Sequence, residues 1–355
     1  MQDPFTTERR RLGWLCSYTP VEVPLAAGYL PIRIFGAESV PRTQDPRIYH
    51  LLCPYVRAVF HRYAADEASR PEAMAFARCC DAMLRLHDVW KAYLGGRVHL
   101  LDLPKISSPE AVGYFAEVLR AWASTLGRDS GQAATEKHLW EAIEQMNSVR
   151  DLFQAMARGL REENGRIPYE EFHSWSRRWL AEPTPQVLEE VRSEWKTLIA
   201  TKGHGPDRPR VLITSSMLDP PGLIRMMEEA GLDVVAEDEC MGARHFDGLV
   251  KERGDPYLAL AERYLLKWPC PRMKGFDRRL ERLDAMMGEA SVQGVIALQL
   301  KFCDQSGFDL PMLRAHLEQK GIPLLIVEND YGEGSLGQLR VRVEAFAEML
   351  QQDWA

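Results

Sequence analysis

The 355-residue sequence has no apolar run of the roughly 18–20 residues that a membrane-spanning helix requires. Its first residues, MQDPFTTERRR, place charge where a secretory signal needs an apolar segment. Both absences predict a cytoplasmic protein without membrane contact. There is no long block of lysine and arginine: 44 basic against 51 acidic side chains give a formal net charge of −7 and a pI near 5.8. A nucleic-acid partner is therefore not expected, and the ERRR run of residues 8–11 reads as a solvated face. Missing too are a G-x-S-x-G elbow, a P-loop and an H-E-x-x-H helix, so neither hydrolysis nor ATPase chemistry has a motif to rest on.

What is present is the composition of a soluble globular protein, 46% hydrophobic and 27% charged. The length suits about two domains, each able to bury a core without a metal or disulfide to hold it together. Two stretches alternate strand-like and helical patterns. In the first, strands are expected at 12–18, 30–36 and 97–104, with helices over 54–66, 80–95 and 109–127; Pro54 and Pro109 stand at first helical positions, and Gly95 and Gly127 at stops. Residues 135–202 read as consecutive amphipathic helices anchored by Trp140, Trp175, Trp179 and Trp195. The second stretch offers strands at 210–216, 232–238, 294–300 and 323–330, with helices over 220–231, 256–268, 275–287 and 310–321 and from about Leu336. That rhythm predicts α/β architecture: two doubly wound parallel-sheet domains, 1–130 and 208–355, joined by a helical connector or cap, 131–207.

Seven cysteines, at 16, 53, 79, 80, 240, 270 and 303, are an odd number of widely spaced thiols, a poor disulfide framework in a reducing compartment. Ligands of open α/β sheets bind beyond the carboxyl ends of the strands. Cys16, Cys240 and Cys303 lie there, while Cys53 and Cys80 open helices whose N-termini favour a thiolate. Six cysteines divide three and three between the halves: Cys16, Cys53 and Cys80, then Cys240, Cys270 and Cys303. Cys79 is the spare, because adjacent side chains can hardly both face one metal and Cys80 starts the helix. None of the nine histidines lies within two residues of these six cysteines. Such a set suits iron–sulfur clusters or zinc, and a mixed Cys/His zinc site has little support.

The strings CSYTPVEVPLAAGYLPIRIFG (16–36), CPYVRAVF (53–60), CDAMLRLHDVW (80–90), LKFCDQSGFDLPMLRAHLEQKGIPLLIVENDY (300–331) and GQLRVRVEAFAEML (337–350) resemble the 2-hydroxyacyl-CoA dehydratase and benzoyl-CoA reductase superfamily. The resemblance implies two flavodoxin-like domains around an oxygen-sensitive 4Fe-4S cluster, charged one electron at a time by an ATP-hydrolysing iron–sulfur activator. It makes Cys16, Cys53, Cys80 and Cys303 the motif cysteines, of which a single-cluster subunit needs three. Cys240 in EDECMGARHF and Cys270 in KWPCPRMKG are similar to the additional cysteines of the double-cubane cluster proteins, in which six thiolates hold an 8Fe-9S group. The resemblance thus implies a homodimeric reductase of small molecules. The alternatives are a single 4Fe-4S subunit of an acyl-CoA dehydratase or aromatic acyl-CoA reductase, paired with a related subunit, and a non-enzymatic electron carrier or cluster-assembly scaffold.

Around the cysteines, Glu22, Asp304 and Asp309 are candidate proton donors or partners of ligands, and Arg33 and Arg57 candidate compensators of cluster charge. His61 and His87 fit helical patterns and read as packed histidines. Gly332, Gly334 and Gly337 spell G-x-G-x-x-G, but no strand with an acidic residue about 20 positions on can follow before Ala355, so they read as a tight loop.

Overall fold

Strands buried on both faces read as near-continuous apolar runs, and helices then cover both sides of the sheet they form. The computed structural model describes residues 9–37, 45–162, 167–201, 208–219, 221–331 and 336–352. Gly332 and Gly334 of the glycine pattern lie outside the described residues.

The N-terminal unit contains β1 (Arg10–Trp14), α1 (Glu22–Ala26), β2 (Tyr29–Arg33), α2 (Pro54–Ala65), β3 (Ala73–Ala77), α3 (Asp81–Tyr93), β4 (Arg97–Leu101) and α4 (Pro109–Ser130). Three helices follow: α5 (Glu136–Gly159), α6 (Tyr169–Ala181) and α7 (Pro185–Thr201). The C-terminal unit runs through β5 (Arg210–Ser215), α8 (Gly222–Glu229), β6 (Asp233–Asp238), α9 (Ala243–Phe246), α10 (Pro256–Leu266), α11 (Phe276–Glu289), β7 (Gly294–Leu300), α12 (Asp304–Gln319), β8 (Leu324–Asn329) and α13 (Leu336–Gln352).

The strands form two four-stranded, all-parallel sheets with the same order, β2-β1-β3-β4 and β6-β5-β7-β8. This is an α/β architecture of two flavodoxin-like units. Each sheet reverses direction of growth beside its first strand, which puts one topological switch point between β1 and β3 and another between β5 and β7.

Local chemistry explains the helix ends. Ser108, Thr135 and Asp255 cap α4, α5 and α10 by accepting from the backbone N–H three residues on, at 3.3, 3.2 and 2.9 Å. Pro54 and Pro109 occupy first helical positions. Helix α4 runs past Gly127 and stops at Gly131, which takes the left-handed φ of 81°.

Two boundaries differ from the sequence expectation in ways that matter for the site. Strand β1 ends at Trp14, so Cys16 lies in the loop beyond it. Helix α12 starts at Asp304 and carries Pro311 inside it, which makes Cys303 its N-cap. Strand β3, AMAFA, was not expected: five small or unbranched apolar residues carry no strand signature, and burial on both faces selects the conformation.

The middle helices are not an isolated layer. Helix α5 packs on α1 and α9, while α6 touches β2 of one sheet and β6 and α8 of the other. Helix α10 packs back onto α4 and α5. One apolar core runs through both units, and a smaller one lies under α11 and α12. Among the described residues no helix is long and apolar enough to cross a membrane.

Candidate metal centre

All seven cysteines are free, and six are buried, with Cys80 half-buried. Cys53, Cys80 and Cys303 are the N-caps of α2, α3 and α12, each a helix of at least 12 residues, so their sulfurs lie in the positive field of the helix ends. Cys16 follows β1 and Cys79 follows β3, the two strands that flank the N-terminal switch point. Cys240 follows β6, and Cys270 sits between α10 and α11.

The fold gathers these thiols from both units. Cys79 hydrogen-bonds Cys16 on one side and Cys80 on the other. Cys53 interacts electrostatically with Cys303, and Cys240 with Cys270. A small cavity of about 30 Å³ is lined by Cys53, Cys80, Cys303 and Arg272, and a larger one of about 620 Å³ by Cys79, Cys80, Cys270 and Arg272. Cys80 and Arg272 are common to both.

Cations surround the group. Arg272 reaches Cys303 Sγ at 3.9 Å with Nη2 and donates its backbone N–H to Cys270 Sγ at 3.4 Å. Arg244 Nη1 lies 3.7 Å from Cys240 Sγ, and Arg33 Nη1 donates to the Cys240 carbonyl at 2.7 Å. Lys267 donates to the carbonyls of Ser17 and Arg244 at 2.7 and 2.9 Å and lies 4.3 Å from the Tyr18 ring centroid. The Tyr18 hydroxyl in turn accepts from the Cys270 N–H at 3.3 Å. Among the described residues Arg33, Lys267 and Arg272 make no ion pair with a carboxylate, whereas Arg244 is held by Asp238 at 2.6 Å.

Thiol acidity follows these contacts. The hydrogen bond from Cys79 is the main reason Cys16 falls to about 6 and Cys80 to about 5, with the charge of Arg272 adding to both. Cys79, as the donor between two thiolates, is driven well above the usual thiol range. Burial, aided by Cys303, pushes Cys53 up to about 12, and burial also raises Cys240. Burial drives Lys267 well below the lysine range. Burial works against the charge on Arg272 as well, yet the surrounding thiols hold it well above the usual guanidinium range.

Cys303 is further fixed by Ser306 Oγ at 3.3 Å and Ser216 Oγ at 3.7 Å, the two hydroxyls lying 2.6 Å apart. Of the acids singled out in the sequence, Asp304 is exposed on the rim of the small cavity. Asp309 lines the large one but is tied to Arg279 at 2.5 Å. Glu22 lines neither cavity: its buried carboxylate is taken by Arg150 and by Tyr264 Oη at 2.9 Å. Arg57 donates to the Leu52 carbonyl at 3.1 Å rather than to a thiol.

Sequence reasoning passed over Lys267, Arg272 and Tyr18. A signal for the first two was present in KWPCPRMKG, where cations flank a lone cysteine on both sides. Among the described residues no three His, Cys, Asp or Glu side chains are grouped so as to hold a single metal ion.

Residues 16–350 match the family described as 2-hydroxyglutaryl-CoA dehydratase, D-component. The chain is 27% identical to the Escherichia coli K12 protein named as dehydratase subunit YjiM, over 96% of this chain and 91% of that one. It is 25% identical to the lactoyl-CoA dehydratase subunit beta of Anaerotignum propionicum, over 97% and 92%. It is 23% identical to a benzoyl-CoA reductase subunit of Thauera aromatica, over 97% and 91%.

Proposed function

The chain belongs to the 2-hydroxyglutaryl-CoA dehydratase D-component family, and from that premise we propose that it is an iron–sulfur reductase component whose six thiolates, Cys16, Cys53, Cys80, Cys240, Cys270 and Cys303, hold a double-cubane 8Fe-9S cluster. An ATP-hydrolysing 4Fe-4S activator delivers low-potential electrons to it, and a small molecule is reduced.

One observation carries this reading. Arg33, Lys267 and Arg272, two buried and one half-buried, stand among thiols of both units and make no ion pair with a carboxylate among the described residues, and burial disfavours the charged form of Lys267. An uncompensated buried charge costs several kcal/mol. A thiolate-held anionic cluster offsets that cost at the place where the three cations converge. The donor set is soft and free of histidine, which suits iron–sulfur chemistry, and it is too spread for one ion. Cys240 and Cys270, the pair that separates six ligands from four, are buried with the rest.

When bound, the cluster supplies one-electron transfer at low potential. The chain's own residues do the rest. Helices α2, α3 and α12 fix Cys53, Cys80 and Cys303 at their N-terminal ends, and the hydrogen bond from Cys79 favours the thiolate form of Cys80. Arg272, held charged by the surrounding thiols, lowers the electrostatic cost of adding an electron nearby. Burial keeps bulk water from Cys16 and Cys240, and Asp304 on the rim of the small cavity is the acid positioned to move a proton.

The names of the relatives favour a second reading. They are subunits of enzymes acting on CoA thioesters, so this chain could hold one 4Fe-4S cluster and work with a related subunit rather than as a homodimer. Iron and acid-labile sulfide on the anaerobically purified chain decide between the two. About eight irons per chain, falling in Cys240→Ala and Cys270→Ala, support the double cubane; about four, unchanged by both, support the second reading. Chain free of iron overturns both, and iron without activator-dependent turnover assigns an electron carrier or scaffold instead.

A further inference from the structure

The 620 Å³ cavity opens to solvent between the units, and its wall is unusually rich in cations. Four of its charges are already paired. Arg279 is paired with Asp309 at 2.5 Å and Asp238 at 3.1 Å, Arg78 with Asp102 at 3.1 Å, and Asp81 with Arg85 at 3.5 Å. Arg272 faces the thiols. That leaves Lys105 and Lys274. The two are brought together by the backbone, the N–H of Lys274 donating to the carbonyl of Lys105 at 2.8 Å. They come from different units: Lys105 from the loop between β4 and α4, Lys274 from the loop after α10. Lys105 spends one of its three protons on the Cys79 carbonyl, and Lys274 is exposed and makes no ion pair among the described residues. The same cavity is lined by the apolar side chains of Phe276, Phe308 and Met312; Phe308 is 79% exposed and Met312 47%.

We infer that Lys105 and Lys274 form an anion clamp at the mouth of the thiol cavity, reading the oxyanion of an organic acid whose apolar body lies on Phe276, Phe308 and Met312. A carboxylate and a phosphoryl group share the chemistry the clamp recognises. Asp102 acts electrostatically on Lys105, whereas Lys274 makes no ion pair among the described residues, so an oxyanion held by the two lysines supplies the counter-charge that Lys274 lacks. The apolar lining beside the two lysines then selects acids with a hydrocarbon portion over inorganic ions. The clamp sits beside the floor formed by Cys79, Cys80 and Cys270, so it orients such an acid over the sulfurs. This inference rests on reading those thiols as the reactive centre.

The test uses the full chain purified anaerobically and compares iron withdrawal by two chelators, dianionic bathophenanthroline disulfonate and neutral 2,2′-bipyridine. The ratio of their rates cancels the intrinsic lability of the cluster. Lys274→Gln alone lowers the ratio several-fold and Lys105→Gln/Lys274→Gln by about tenfold, the scale of electrostatic steering into a cleft. At about 1 M salt the wild-type ratio falls to that of the double variant. Phenylacetate or phenyl phosphate slows the dianionic reagent, whereas phenylacetamide does not; the stronger of the two acids identifies the carboxylate or phosphoryl source. An unchanged ratio in both variants, or equal protection by phenylacetamide, overturns the clamp. A chain without iron defeats the proposed function alone, and the clamp is then read on the same chain as the ratio of iodoacetate to iodoacetamide alkylation at Cys80, with the same variants and the same expected fall.

Discussion

The two units share one strand order, yet they present their thiols by different means. In the N-terminal unit Cys53 and Cys80 cap α2 and α3, helices of 12 and 13 residues, and Cys79 bridges Cys16 and Cys80. In the C-terminal unit only Cys303 caps a long helix. Just after β5, the strand that corresponds to β1, Ser216 supports Cys303, and the position two past the strand end, where the N-terminal unit has Cys16, is Met217. Cys240 is followed by a helix of four residues and Cys270 lies in a loop, so neither has a helix to orient it. Buried charge takes that role. Asp238 joins Arg244 at 2.6 Å and Arg279 at 3.1 Å, Arg279 joins Asp309, and Arg244 also reaches the Ser215 carbonyl. The comparison teaches that one topology can hold a thiol by helix geometry or by an ion network, and that the second needs far more buried polarity.

The network is the place to break the comparison. Arg279→Met leaves Asp238 and Asp309 buried without their shared cation. The expected loss is about 3–5 kcal/mol in denaturant titration. No single polar substitution at the thiol loops of the N-terminal unit should match it.

A pH effect follows from Glu239, next to Cys240, which burial raises to about 7. Its carboxyl is therefore protonated in the folded chain where the unfolded chain has already ionised. Stability from this group is complete below about 4.5 and is lost as pH rises to about 7. Glu239→Gln flattens that slope, and the gain at pH 8 is on the order of 3 kcal/mol in thermal or denaturant melts. A slope unchanged by the substitution would refute the assignment.

Contacts across the units are weaker individually. The Tyr331 hydroxyl accepts from the Gly36 N–H at 3.1 Å and donates to Asp219, which also holds Arg177 at 2.7 Å. Gly36 is required there, because a Cβ would lie 2.6 Å from the Tyr331 ring and 2.7 Å from Ala58 Cβ. Tyr331→Phe is expected to cost about 1–3 kcal/mol, since it strands a buried donor and acceptor.

The smallest expected stability change sharpens the contrast between the corresponding strand ends. Ser216→Ala removes one hydroxyl from Cys303 and costs about 1 kcal/mol without lowering iron content. Cys16→Ser, just past β1, lowers iron per chain. Equal iron in both variants would mean that Cys16 is not a ligand.

Much of this fold was legible in the sequence. Runs such as RVLITSS and GVIALQL are long and β-branched, and the helices between them carry caps and regular apolar spacing. The missed strand, AMAFA, has neither β-branching nor alternation, and α1 is too short for a period to show. Gly127 looked like a helix stop, but four positions later Gly131 has the left-handed backbone that ends α4. At the candidate site the thiols were legible because cysteine is rare and their positions at loop starts are informative. Setting Cys79 aside for its adjacency to Cys80 took no account of the contact it makes with Cys16, 63 residues earlier in the chain. Glu22 looked close to Cys16 along the chain, yet α1 turns its carboxylate toward Arg150 on α5.

By itself, the sequence determined the class of fold, the two-unit plan and the stock of soft ligands, because propensity, periodicity and cysteine spacing are local properties. Tertiary structure alone decided which cations meet the thiols. Lys267 reaches Ser17 across 250 positions, Arg33 reaches Cys240 across 207, and Lys105 meets Lys274 only where the loops of two sheets converge. The energy of a buried charge depends on what surrounds it in space, and no local pattern records that.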